Sequence, residues 1–241
     1  MILLNQADTH ELQSLAQGLA QALLAFYDSA VIASLQQKKI FAVKEPVAGI
    51  ILAAGESTRY GRPKQLLDWK GDPFIRAVAK TALQAGLAPV VVVTGASAEQ
   101  VEHAVRDLNV ITVKNDQWKS GQSSSIKAGI RSFTSASKAG GAIFLLSDQP
   151  QLTTSVLHAL VEKHAEGLYP VVAPMVMDRR ANPVLFDRIT FADLLTLEGD
   201  VGGRAIFHKH RVEYLPWHDD RLLLDVDTPE MYQRLLSDDT L

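Results

Sequence analysis

The sequence predicts an α/β domain, doubly wound around a mostly parallel sheet, with a short N-terminal appendage. Three observations lead there. From Val47 onward, apolar β-branched runs alternate with segments of helical periodicity, the pattern of a parallel sheet covered by helices on both faces. Some of those runs, such as Val90, Val91, Val92 and Val93, are apolar without alternation, as strands buried on both faces require. The 241 residues suffice for one sizeable domain and a small addition.

Residues 1–46 read as a β-α-β unit of their own. A short strand through Ile2, Leu3 and Leu4 leads to Asp8, placed to cap a helix with Glu11 in the reciprocal capping position. Leu12, Leu15, Ala16, Leu19, Leu23 and Leu24 recur at helical spacing, and 31–35 reads as another strand. Strand, helix and strand make only a fragment, and the abrupt start leads us to expect a longer natural chain. Pro46 disfavours helix at the residue before it and cannot donate to a central sheet, so the boundary falls there and 47–241 follows as the main domain. In that domain the strand through 50–52 breaks into a turn at Gly55. A helix over 73–85 ends at Gly86, and a strand over 89–94, a helix over 98–108, a strand over 110–113 and a helix over 122–133 follow. After a loop-like stretch over 134–141, the buried strand 142–146 delivers Ser147, Asp148, Gln149 and Pro150 to its carboxyl end. A helix starts near Thr153; a late strand ends at Asp225 and Asp227, and Thr228 and Pro229 open the last helix.

Composition removes several function classes. With 47% hydrophobic and 21% charged residues and a formal net charge of −3, the chain has no global attraction for nucleic acid or an anionic membrane. It has no cysteine, which excludes disulfides, thiolate metal sites and a thiol nucleophile and fits a cytoplasmic protein. No apolar run reaches membrane-spanning length, and the opening residues turn polar too early for a signal-peptide core. The histidines lack the grouped spacing of a zinc site, and the G-x-S-x-G elbow of serine hydrolases is absent.

The chemistry concentrates in four places. The turn at Leu52, Ala53, Ala54 and Gly55 allows close backbone approach by a phosphate, and Arg59 and Lys64 follow as cations able to meet the same anion, with Pro63 stiffening the chain. It is neither a Walker loop nor a dinucleotide fingerprint, because both spacings are missing. Asp148, at the end of a buried strand with no basic neighbour in sequence, suits a hard cation such as Mg²⁺, and Asp225 or Asp227 suits a second carboxylate; the alternative for each is a turn or helix cap. Ser123, Ser124 and Ser125 open a helix with free amides and hydroxyls that both donate and accept, which suits a pyrimidine edge or a ribose; the alternative is a helix start that meets no ligand. Two later stretches, around Arg180 and Asn182 and around Gly202, Gly203 and Arg204, could face a second, anionic substrate or be surface loops.

The first stretch resembles the L-A-A-G-x-S-x-R-x-G-x-P-K-Q-L-L signature of nucleotidyltransferases of the MobA and MocA kind, the molybdopterin nucleotide transferases. Leu52, Ala53, Ala54, Gly55, Ser57, Arg59, Gly61, Pro63, Lys64, Gln65, Leu66 and Leu67 match, and Tyr60 stands where that family usually has Met or Phe. The resemblance covers about 48–237 and implies a Rossmann-type fold like that of nucleotide-diphospho-sugar transferases. It implies Mg²⁺ held by Asp148 in the family's D-x-P element and by Asp227 before Thr228 and Pro229, so Asp227 is preferred to Asp225. The 121–129 run is similar to the G-Q-S-S-S-x-x-A-G motif of the cytidylyl-transferring branch, and Ala53, Ala54 and Gly55 go with CTP where the guanylyl branch carries L-A-G-G. The acceptor stretches resemble R-R-G-N-P-V-L-F and G-D-x-G-A-R segments, with Ala181 in place of a glycine, which puts a positive φ there in doubt. The N-terminal segment resembles the C-terminal end of accessory proteins encoded with selenium-dependent molybdenum hydroxylases; Asn5 and Asp8 look like a guanine-reading N-K-x-D element, but no phosphate loop precedes them.

The implied function is Mg²⁺-dependent transfer of CMP from CTP to the terminal phosphate of molybdopterin, with a molybdenum hydroxylase as client and neither nucleic acid nor membrane as partner. The alternatives are transfer to another phosphorylated acceptor, such as a sugar or polyol phosphate, and a cofactor-holding maturation partner without turnover.

Overall fold

The computed structural model describes residues 1–5, 9–24, 26–57, 60–134 and 137–237. A small sheet comes first. β1 (Ile2–Leu4) pairs parallel with β2 (Ala30–Ser34), and β2 pairs antiparallel with β3 (Lys39–Lys44), while α1 (His10–Leu23) crosses between β1 and β2. The unit is therefore β-α-β-β, one strand more than the sequence pattern suggests. Thr9, whose side chain accepts from Leu12 N, caps α1; Asp8, the expected cap, lies outside the described residues. The leucines at helical spacing do not form the buried face either. Ala20 is buried, whereas Leu12, Leu15 and Leu19 are exposed.

The main sheet begins with β4 (Val47–Ala53), which a two-residue link separates from β3. The β5 (Asp68–Trp69) and β6 (Asp72–Pro73) hairpin, α2 (Phe74–Gln84), β7 (Val90–Thr94), α3 (Ala98–Val105), β8 (Ile111–Lys114), α4 (Gln122–Thr134), β9 (Gly141–Leu146) and α5 (Thr154–Gly167) follow. Then come β10 (Val171–Val176), β11 (Arg179–Arg180), β12 (Val184–Asp187), α6 (Phe191–Leu194), β13 (Val212–Pro216) and α7 (Pro229–Ser237). The sheet order is β11-β10-β12-β9-β4-β7-β8, with β13 also on β10.

β4 at the centre explains the double winding. Its Ile51 and Ala53 pack with α2, α3 and α5 on one face, while Ala48 and Ile50 pack with α4 and α6 on the other. Each fully buried aliphatic side chain contributes on the order of 2 kcal/mol, so a strand buried on both faces holds both layers. The sheet is mixed. β8, β7, β4 and β9 run parallel, but β12 runs antiparallel to β9 and to β10. Local periodicity does not encode strand direction, which is why that reversal was not visible in the sequence.

The expected strand leading to Asp227 is absent: Asp220–Leu223 forms a 3-10 turn, and an extended segment links it to α7. The small unit meets the large one through α5, where Lys44 Nζ lies 2.6 Å from Glu162 Oε1 and Ala165 joins the small unit's core. Among the described residues no helix is long and apolar enough to cross a membrane.

Candidate functional site

Sheet register brings the first two segments together. β4 and β9 are parallel with Leu52 opposite Leu146, so Ala54 and Gly55 leave one strand beside Ser147 and Asp148 leaving the other, at the carboxyl edge where α/β sheets bind ligands. The turn after β4 closes on itself. Lys64 N donates to Ser57 Oγ at 3.0 Å, Ser57 Oγ donates to Gln65 Oε1 at 3.2 Å, and Gln65 Nε2 donates to the Gly55 carbonyl at 3.3 Å. This clamp fixes Lys64 at the start of the 3-10 turn Lys64–Leu66 and aims its side chain inward. Lys64 Nζ then donates to Asp148 Oδ2 at 2.9 Å and to Asp227 Oδ1 at 2.7 Å.

Three residues far apart in sequence thus form one cluster. Burial alone would lower the Lys64 pKa, but the charges of Asp148 and Asp227 and their hydrogen bonds outweigh it and hold the ammonium above its usual range. Asp225 is turned away. It accepts from Gln149 Nε2 at 2.8 Å, and burial, with the nearby charge of Asp148, raises its pKa despite that bond. Gln151 Nε2 pins the same segment through the Arg221 and Leu224 carbonyls at 3.0 and 2.8 Å. Neither Asp148 nor Asp227 is used as a helix cap: Thr153 occupies the N-cap of α5, and Met231 N donates to Thr228 Oγ1 at the start of α7.

The cluster suits a divalent ion. Two carboxylates from different segments already converge on one cation position, taken by the lysine ammonium. Mg²⁺ or Mn²⁺ needs one or two carboxylates, with phosphate oxygens and water completing the shell. Among the described residues no group of three or more His, Cys, Asp or Glu side chains forms a cage of its own.

The cluster sits in a cleft of about 740 Å³. Leu52, Ala54, Gly55 and Tyr60 line one wall and Trp118, Lys119, Ser120, Gly121, Gln122, Ser125 and Asp200 also line it. Ala53 is turned into the core. Among the described residues a Cβ on Gly55 would meet nothing within 4 Å, so the turn faces open space there. Tyr60 fills an apolar slot against the cluster of Leu67, Trp69 and Phe74, as its ring suggests.

The serine run is only partly directed at the cleft. All three serines are buried, and only Ser125 lines the cleft. Asn115 Nδ2 donates to Ser124 Oγ at 2.8 Å and to Ser125 Oγ at 3.0 Å, and Ser124 Oγ donates back to the Gly121 carbonyl at 2.8 Å. The amides opening α4 are also not free. Gln122 N donates to Asp200 Oδ1 at 3.2 Å, Ser123 N to the Gly199 carbonyl at 3.3 Å and Ser124 N to the Gly121 carbonyl at 3.2 Å.

Of the acceptor stretches only Asp200 lines the cleft; Arg180, Asn182, Gly202, Gly203 and Arg204 lie outside its lining. Arg204 Nη2 lies 3.4 Å from the Arg180 carbonyl and 3.3 Å from Asn182 Oδ1. Burial, followed by the nearby charge of Arg180, lowers the Arg204 pKa. A Cβ on Gly202 would lie 2.7 Å from the flexible end of Gln122, at Oε1, and one on Gly203 would lie 2.7 Å from the Phe186 ring. Ala181 has no positive φ and is buried, so it fits where glycine was expected.

Arg59 lies outside the described residues. Sequence reasoning assigned no role to Gln65, Asn115, Gln149 or Asp200. Gln65, Gln149 and Asp200 lie within stretches it singled out, but the partners of Gln149 and Asp200 are distant in sequence, and Asn115 carried no local signal.

In sequence and fold the chain is similar to known proteins. A family model described as MobA-like NTP transferase domain matches residues 49–214. Nicotine blue oxidoreductase of Paenarthrobacter nicotinovorans is 33% identical over 79% of this chain and 96% of its own length. The purine catabolism protein PucB of Bacillus subtilis is 32% identical over 76% of this chain and 93% of its own. Among solved structures, Rv0371c of Mycobacterium tuberculosis superposes with a TM-score of 0.71 and 29% identity, covering 80% of this chain and 98% of that one. The same protein has been solved in complex with manganese, with a TM-score of 0.66, 28% identity and the same coverage.

Proposed function

The chain belongs to the MobA-like NTP transferase domain family, and from that premise we propose that it transfers CMP from CTP to the terminal phosphate of molybdopterin, with or without molybdenum, releasing pyrophosphate. The observation that carries the reading is the Lys64 ammonium held between Asp148 and Asp227 in a cleft that could seat a nucleotide. Passive binding of a cofactor does not call for that combination of a cation and a carboxylate pair.

In this reading an oxygen of the acceptor phosphate attacks the α-phosphorus in line. A new P–O bond forms as the bond to the bridging oxygen breaks, and its electron pair leaves with pyrophosphate. The attacking oxygen is already anionic near neutral pH, so positioning and charge neutralisation suffice. Leu52, Ala54 and Gly55 give the nucleotide close approach to the strand end, while Lys64 and Arg59 meet charge that builds on the departing pyrophosphate. Mg²⁺, when bound by Asp148 and Asp227, neutralises phosphate charge and orients the reacting oxygens. Ser125 and the turn before α4 contact base or ribose, and Arg180, Asn182, Gly202, Gly203 and Arg204 face the acceptor. Residues 1–46 are an appendage to a transferase unit spanning 47–241, which acts in the cytoplasm and supplies a molybdenum hydroxylase.

Mass spectrometry of the product formed from CTP, Mg²⁺ and molybdopterin tests the reading. The expected product is the cytosine dinucleotide of molybdopterin. Parallel arms with sugar and polyol phosphates identify another acceptor, and stoichiometric cofactor retention without product identifies a holding protein.

A further inference from the structure

The turn that opens α4 is fastened to the loop 199–202 by contacts on both sides. Gln122 N donates to Asp200 Oδ1 at 3.2 Å and Ser123 N donates to the Gly199 carbonyl at 3.3 Å. Gly121, at φ +105, has so close an approach that a Cβ would lie 2.4 Å from Gly199 and Asp200 backbone atoms. Gly202 in turn leaves only the room that Gln122 Oε1 occupies. The first amides of a helix are the groups that otherwise receive a ligand's oxygens, and here the loop takes them. A carboxylate also suits the positive end of the α4 dipole. Gly121, Gln122 and Asp200 all line the cleft that holds Lys64.

We propose that Asp200 is a positioning residue for the nucleotide: by accepting the Gln122 amide it fixes the wall formed by 118–122, against which base and ribose are read. The proposal rests on the nucleotidyl-transfer reading and assigns Asp200 no contact with the reacting atoms. Asparagine keeps an oxygen acceptor without the charge, so the two side chains separate positioning from direct electrostatics. The loop that positions the nucleotide is continuous with Gly202, Gly203 and Arg204, so acceptor-side and nucleotide-side elements share one scaffold.

The test measures CTP affinity by calorimetry with Mg²⁺, and KM and kcat by pyrophosphate release with molybdopterin, for wild type, Asp200→Ala and Asp200→Asn. Loss of one charge-assisted hydrogen bond at the cleft wall corresponds to affinity about tenfold weaker in Asp200→Ala, with a matching rise in KM for CTP and kcat nearly unchanged. Asp200→Asn should stay within about threefold of wild type in both. Gln122→Pro removes the donor from the other side at a position where proline suits a helix start, and should weaken CTP binding as Asp200→Ala does even if that variant folds poorly. Unchanged affinity in Asp200→Ala overturns the proposal, as does Asp200→Asn failing as badly as alanine or a loss confined to kcat. A wild-type chain that binds none of CTP, GTP, ATP and UTP overturns the transferase reading and the proposal together, which distinguishes the two failures.

Discussion

Replacing Lys64 with methionine removes the ammonium while keeping most of the side chain's bulk, and its consequence can be worked from the site. The ammonium bonds Asp148 Oδ2 at 2.9 Å and Asp227 Oδ1 at 2.7 Å, with the side chains of Lys64, Asp148 and Asp227 15%, 22% and 45% exposed. Breaking a fully buried pair costs about 3–5 kcal/mol, and breaking an exposed one costs at most about 1 kcal/mol. Partial exposure, and the wetter position of Asp227, put the present loss at about 2 kcal/mol, because the two carboxylates then face each other without the ammonium between them. For a chain of this size about 2–4 °C follows each kcal/mol, so Lys64→Met should melt about 4–8 °C below wild type in metal-free buffer. Mg²⁺ or Mn²⁺ should restore much of that difference, because an ion binding the native carboxylate pair stabilises by mass action and no longer competes with the ammonium. The assay is thermal melting with chelator and with metal, accompanied by Mn²⁺ binding followed by electron paramagnetic resonance. Turnover should fall by several orders of magnitude in the same variant, while Asp148→Asn should lose the metal response instead. Lys64→Met melting like wild type without metal, or showing no larger metal response, would refute the view that one cation position is shared by lysine and metal.

Two further outcomes test the surrounding scaffold. Gly121→Ala places a Cβ against the 199–200 backbone at φ +105, so it should cost at least ~2 kcal/mol in urea unfolding and weaken nucleotide binding in calorimetry. His164→Ala deletes the buried hydrogen-bond partner of Asp187, whose Oδ2 lies 2.7 Å from His164 Nε2, and should cost about 2 kcal/mol in the same unfolding assay without changing KM for the nucleotide.

Much of this architecture was legible because its signals are local. The buried run of β4, the valines of β7 and the apolar strand ahead of Asp148 each declare a strand, and Gly55 marks the turn that follows β4. The approach of the turn bearing Lys64 to Asp148 follows the rule that strand ends of an α/β sheet share one edge, whereas Asp227, which no strand delivers, was preferred to Asp225 on the resemblance alone. Other features depend on relations between distant residues. The antiparallel β12, the inward hydroxyl of Ser124 and the Asp200 contact to α4 are fixed by neighbours that no spacing pattern reveals. Leu222, Leu223 and Leu224 look like strand because they are apolar, yet Gln149 and Gln151 hold the segment in a turn and extended chain instead. On α1 the leucines carry the helical period while the small residue Ala20 faces the sheet, so periodicity located the helix but not its buried face.

The most direct test of the central claim is pyrophosphate release by the purified chain with molybdopterin and Mg²⁺, comparing CTP, GTP, ATP and UTP, with chelator and Asp148→Ala as controls. The account predicts release with CTP that is preferred over the other nucleotides and abolished by either control. Preference for GTP would move the chain to the guanylyl branch, and a folded protein that binds CTP yet releases no pyrophosphate with any nucleotide would contradict the account.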